Sequence, residues 1–67
     1  MAPYADNASL PRSVQSVLPA HAQDIYREAF NHAWDEYGRD EVTATRVAWA
    51  AVKRRYEKGE GGWRPKP

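Results

Sequence analysis

Apolar side chains recur along this chain in two blocks at helical spacing. In the first block Ala22, Ile25, Tyr26, Ala29, Phe30, Ala33, Trp34 and Tyr37 follow one another at alternating steps of three and one. At about 100° per residue these positions fill one half of a helical wheel, whereas a strand would need alternation in twos. In the second block Ala44, Val47, Ala48, Ala51 and Val52 form an inner stripe, with Trp49 and Tyr56 at its margin. The pattern predicts two amphipathic helices that share one small aromatic core.

The punctuation agrees. Leu10-Pro11 opens a short helix, Pro11 to Val17, because proline suits the first helical position, where an N–H would lack a partner anyway. Pro19 ends it by pushing Leu18 out of the α region, and can open the second helix in turn. Gly38 is a natural left-handed stop for the second helix. Asp40 is a plausible N-cap for the third, with Glu41 near the positive end of its dipole. Lys53, Arg54, Arg55 and Lys58 crowd its last turns, and Gly59, Gly61 and Gly62 end it. Met1 to Ser9 reads as extended or irregular, and residues 64–67 as a frayed tail. Trp63 either folds back on the core or pairs as a short strand with the segment around Tyr4. The expected core is Val14, Leu18, Ile25, Tyr26, Ala29, Phe30, Trp34, Val47, Ala48, Ala51 and Val52.

With 67 residues the chain is one domain, and without cysteine it has no disulfide or thiolate metal site. No apolar run approaches the roughly 20 residues of a membrane span, and the start lacks the features of a signal peptide. The expectation is a cytoplasmic protein. Net charge is only +1, yet the chain is polarised. Up to Glu41 three basic residues face seven acids, a net of −4; from Val42 onward seven basic residues face two acids, a net of +5. Such asymmetry points either to a charged partner or to an acidic helix matched internally with a basic one.

Three constellations bear on function. His21, Asp24, Glu28, His32 and Asp35 share one face of the second helix, opposite the aromatic stripe. They fit no zinc signature, and metal sites usually draw ligands from several elements, so a solvated face is the preferred reading and no metal is assigned. His21 could also bond locally near its helix start. The cluster Lys53, Arg54, Arg55, Lys58, Arg64 and Lys66 lies beside Tyr56 and Trp63. Cations beside aromatics suit a nucleic-acid strand or an acidic surface, while cations at a helix end are also ordinary. Trp34 reads as core, and Trp49, at the margin of its face, as a seal or a binding anchor. Enzymatic patterns are missing: there is no cysteine nucleophile and no Gly-rich loop ahead of a helix, and nothing aligns Ser9, Ser13 or Ser16 with a histidine and a carboxylate. No catalytic residue, cofactor or small-molecule substrate is assigned.

In their order along the chain these residues resemble the ChaB family of cation-transport regulators. The match runs from Tyr4 and Leu10-Pro11 through Val14 and Leu18-Pro19 to His21-Ala22-Gln23-Asp24-Ile25-Tyr26, Ala29-Phe30-Asn31, Ala33-Trp34 and Tyr37. It resumes at Val47-Ala48-Trp49-Ala50-Ala51-Val52-Lys53, then Tyr56, Lys58, Gly62 and Trp63. The departure is Gly38-Arg39-Asp40-Glu41, where enteric members carry a longer, charged insertion. The resemblance implies a mainly α fold of three helices, one short and two long, plus a small two-stranded sheet from the N- and C-terminal segments. It also implies modulation of a sodium or calcium/proton antiporter. The expected function is therefore a non-enzymatic regulatory module acting by protein–protein contact, with the cytosolic face of a membrane cation antiporter as partner. The alternative is nucleic-acid binding through the same basic end. The candidate contact residues are Trp49, Lys53, Arg54, Lys58, Trp63 and Arg64.

Overall fold

A computed structural model describes residues 3–67; the expectation of an irregular chain at residues 1 and 2 lies outside them. A 3-10 turn, Asn7–Ser9, is followed by a short helix α1 (Arg12–Gln15) and two long helices, α2 (Ala20–Glu36) and α3 (Glu41–Arg55). A hairpin of β1 (Tyr56–Gly59) and β2 (Gly62–Pro65) completes the fold.

The helix boundaries follow local chemistry. Pro11 and Pro19 stand at the cap positions, and their carbonyls accept from Gln15 N at 3.0 Å and Gln23 N at 2.9 Å. At the other end of α2, Gly38 has φ 68° and the Arg39 N–H bonds the Trp34 carbonyl at 2.8 Å. That bond closes a Schellman turn, which satisfies a carbonyl the helix would otherwise leave orphaned. Asp40 caps α3, accepting from Val42 N at 3.1 Å and Thr43 N at 3.4 Å. The Thr43 hydroxyl donates to its other oxygen at 2.8 Å.

The long helices pack against each other. Ala22 and Ala33 on α2, with Ala44 and Ala48 on α3, have no exposed surface, as small residues permit where two backbones approach closely. Around them Leu10, Val14, Leu18, Tyr26, Phe30, Val52 and Tyr56 are buried. Of the core expected from sequence, Val14, Leu18, Tyr26, Phe30, Ala48 and Val52 are fully buried. Ile25, Ala29, Trp34, Val47 and Ala51 are half-buried around them. Phe30 is the hub, its ring centroid 4.9 Å from Tyr4 and 6.1 Å from both Tyr26 and Trp34. No ion pair joins α2 to α3 among the described residues; the pairs are Asp24–Arg27, His32–Glu36 and Glu57–Arg64. Among the described residues no salt bridge therefore matches the acidic half to the basic one.

The ends of the chain correct the sequence reading. The small sheet exists, but its strands are Tyr56–Gly59 and Gly62–Pro65, and the N-terminal segment contributes neither. The reason is visible at Tyr4. Its main-chain N–H donates to Asn31 Oδ1 at 3.1 Å and its carbonyl accepts from Asn31 Nδ2 at 2.8 Å. One side-chain amide thus takes both groups a strand partner would need. Asn7 adds a second strap, donating to Asp24 Oδ1 at 2.7 Å and accepting from Arg27 Nε at 2.8 Å. The stretch read as irregular also holds the 3-10 turn, closed by a reciprocal capping box between Asp6 and Ser9.

Helix α3 ends at Arg55, before the glycines expected to stop it, because Tyr56 adopts an extended φ of −128° and ψ of 153°. Those glycines instead let the chain reverse through Glu60-Gly61, between the paired Gly59 and Gly62. Gly62 sits at φ 120°, and a Cβ there would lie 3.3 Å from the Val17 carbonyl. That close approach lets Trp63 N–H bond the same carbonyl at 3.3 Å, docking β2 on the turn after α1. Pairing continues into the segment read as a frayed tail: Arg64 and Pro65 lie in β2, and Lys66 N bonds the Arg55 carbonyl at 2.8 Å.

Candidate functional site

Side chains on a helix repeat every 100°, and those on a strand alternate faces. These two periods divide the six candidate residues. Trp49 and Lys53 are four apart on α3 and share a face. Arg54 is five from Trp49, a rotation of about 140°, which carries it to another side. On the hairpin, Lys58 stands directly opposite Trp63, and Glu57 opposite Arg64. Lys58 and Trp63 therefore occupy one face, and Glu57 and Arg64 the other.

The structure brings together Trp49, Lys53, Lys58 and Trp63. With Val17 and Gly62 they line an open groove of about 320 Å³. The Trp49 and Trp63 centroids are 5.4 Å apart with ring planes tilted by 31°. Trp49 is braced from behind by the edge of Tyr26, at 5.2 Å and 75°. Burial pushes the Tyr26 hydroxyl ionisation upward, and neighbouring Tyr4 adds to the shift. Val17 contributes an exposed apolar wall, 39% accessible. Lys53 and Lys58 are exposed and take part in no ion pair among the described residues.

Arg64 and Arg54 do not join this group. Arg64 reaches Glu57 Oε2 with Nε and Nη2, both at 3.1 Å, so its charge is locally neutralised on the outer face of the hairpin. Arg54 lines a separate cleft of about 380 Å³ with His21, Arg55, Tyr56, Pro65, Lys66 and Pro67. There His21 Nδ1 lies 3.0 Å from the hydroxyl of Tyr56, a partner far along the chain, where the sequence also allowed a local one. Sequence reasoning passed over Val17 and Gly62 as groove residues. Exposure of Val17 on a turn was the available signal, whereas the positive φ of Gly62 left none.

The acidic face of α2 is engaged otherwise. Asp24 bonds Asn7 and Arg27, His32 pairs with Glu36 at 3.2 Å, and His21 meets Tyr56. Among the described residues no three His, Asp or Glu side chains converge to hold a metal ion.

Two long helices, an N-terminal segment strapped at Tyr4 and Asn7, and a hairpin docked by Gly62 define a small helical module with an aromatic–lysine groove on its surface. The ChaB family profile matches residues 10–66. Relatives from Escherichia coli strain K12 and Shigella flexneri, each named "Putative cation transport regulator ChaB", are 57% identical over 67 residues, covering 87% of this chain and 88% of their own. An NMR solution structure titled for the same regulator aligns with a TM-score of 0.85 at 51% identity, covering 97% of this chain and 100% of that one. The chain belongs to the ChaB family. The name its relatives carry is that of a regulator, and among the described residues no helix is long and apolar enough to cross a membrane.

Proposed function

We propose that this protein is a non-catalytic regulator of cation transport that works by docking on a protein, in the first instance the cytosolic face of a sodium or calcium/proton antiporter. The observation that supports this reading is the groove itself. Two tryptophans 5.4 Å apart, flanked by two lysines without acidic partners among the described residues, form a surface suited to an anchored protein contact. Tryptophan dominates binding hot spots because it buries much area with little conformational freedom to lose.

The test is cation-driven proton movement in everted membrane vesicles from a strain lacking the gene, with purified chain added back. The wild-type chain should change the initial rate of Na⁺- or Ca²⁺-dependent proton release. Trp49→Ala with Lys53→Glu should not. Unchanged rates with wild-type chain overturn the proposal.

A second reading, nucleic-acid binding, draws support from Lys53, Arg54, Arg55 and Lys58, which carry no ion pair among the described residues. It requires affinity for labelled DNA that falls steeply with salt, and loss of binding in Lys53→Glu/Arg54→Glu.

A further inference from the structure

The groove has a chemistry that narrows its occupant. Its lining is Val17, Trp49, Gly62 and Trp63 with Lys53 and Lys58, and it contains no carboxylate. Lys53 stands one helical turn beyond Trp49, and Lys58 opposite Trp63 in the ladder, so each cation flanks one of the two rings. Both rings are fixed before anything binds. The Trp49 ring packs against Tyr26 and the Trp63 ring against Trp49, while the Trp63 main chain is bonded to Val17. A platform that is already ordered loses little entropy on binding. About 320 Å³ lies at the lower limit of small-molecule pockets, and the groove is open to solvent. Those dimensions suit one or two side chains of a macromolecule.

We infer that the groove takes an acidic peptide segment: one apolar side chain seated against Trp49, Trp63 and Val17, with Asp or Glu residues on either side reaching Lys53 and Lys58. This rests on the reading that the protein works by docking on another protein, and adds the chemistry of the segment it recognises. Charge complementarity selects the flanking residues, since both lysines lack acidic partners among the described residues. A nucleic-acid strand fits less well. It needs ring faces laid open for stacking and a continuous track of cations. Here both tryptophans are half-buried and face aromatic neighbours. The track also breaks, because Arg54 is turned about 140° away and Arg64 is paired with Glu57 on the opposite face of the hairpin.

The experiment is selection of a random-peptide display library on the full chain, with the winning peptides titrated by NMR and followed at the indole N–H signals. The enriched sequences should carry Asp or Glu flanking an apolar residue. They should shift the Trp49 and Trp63 signals and spare Trp34. Lys53→Glu with Lys58→Glu should weaken them at least tenfold while keeping the circular dichroism spectrum of the folded chain, since both side chains are exposed. The same variant, panned anew, should select basic flanks. Enrichment of neutral or basic sequences on the wild type, no enrichment, or acidic sequences that shift other signals would each overturn the assignment. So would a short oligonucleotide that shifts the same indoles at lower concentration than the peptides, which would place nucleic acid in the groove. A dimer in sedimentation that dissolves in the double variant would place a second copy there. The outcome is separable from the vesicle assay: acidic peptides can bind this groove even if no antiporter responds, and an antiporter can respond to a chain whose groove selects other peptides.

Discussion

His21 and Tyr56 are bonded to each other, ring nitrogen to hydroxyl at 3.0 Å, across the joint where α3 becomes β1. His21 belongs to the first turn of α2, so the contact fastens the start of one long helix to the end of the other. Tyr56 is 5% exposed, and the imidazole gives its hydroxyl a partner at the edge of the core. Tyr56→Phe keeps the ring and deletes that bond, at an expected cost of about 0.5–1.5 kcal/mol in urea unfolding. His21→Ala should lose a similar amount. The double variant should lose less than the sum of the two, because both remove one bond. Strict additivity would mean that the two groups do not act together.

Gly61 and Gly62 should respond differently to alanine. Nothing lies within 4 Å of a Cβ built at Gly61, whereas Gly62 has φ 120° and the Val17 carbonyl at 3.3 Å. Gly62→Ala should cost about 1–3 kcal/mol for its backbone conformation. It should also loosen the Trp63–Val17 bond, seen as faster hydrogen exchange at Trp63. Gly61→Ala should be near neutral in the same measurements.

Asn31→Ala should release the N-terminal segment. It removes two hydrogen bonds to the Tyr4 main chain, worth about 0.5–1.5 kcal/mol each. The Tyr4 amide should lose its exchange protection while the amides of α3 keep theirs. Tyr4→Phe should leave that amide protected, since the bonds are to the backbone.

The cap of α3 gives a pH dependence with a definite sign. Hydrogen bonds from the Thr43 hydroxyl, then from the Thr43 and Val42 N–H groups, hold the Asp40 carboxyl below its ordinary 3.8. The unfolded chain therefore takes up this proton first as pH falls. The stabilisation is complete above about 3.8 and is lost as pH drops through the lower folded-state value. Asp40→Ala should melt lower than wild type at neutral pH, and the gap should narrow on acidification below 3.8. A gap that stays constant into strong acid would show that the charged cap contributes nothing.

Phe30→Ala should remove about 3–5 kcal/mol, a large part of the stability of a domain this size. Phe30 is 3% exposed and meets three other aromatic rings, so no neighbour can fill its place without disturbing a second pair. Thermal unfolding followed by circular dichroism checks this directly.

The long helices were legible because their cores repeat at a period that the one-dimensional text preserves. Asp40 and Gly38 were legible because capping depends on residues adjacent in sequence. Asn31 was not, since a side chain bonding a distant backbone leaves no period behind it. Nor was the first strand. Tyr56, Glu57 and Lys58 are all compatible with another helical turn, and the choice is made by Tyr56 entering the core and by the reversal at Glu60-Gly61. The groove was half legible. Aromatic and basic residues clustered in the text, but which of them share a face depended on where α3 stops. A helix continued to Gly59 would have put Lys58 out of register with Trp63 and kept Arg64 in an unpaired tail.

That junction also sets when the groove exists. Val17 comes early in the chain and Trp63 late, and the groove is the seam where they meet. It exists only while Trp49 on α3 and Trp63 on β2 lie together beside Val17. A chain whose hairpin has come away from Val17 would display two tryptophans without a place between them. Recognition by this groove would thus report whether the hairpin is seated on the turn after α1.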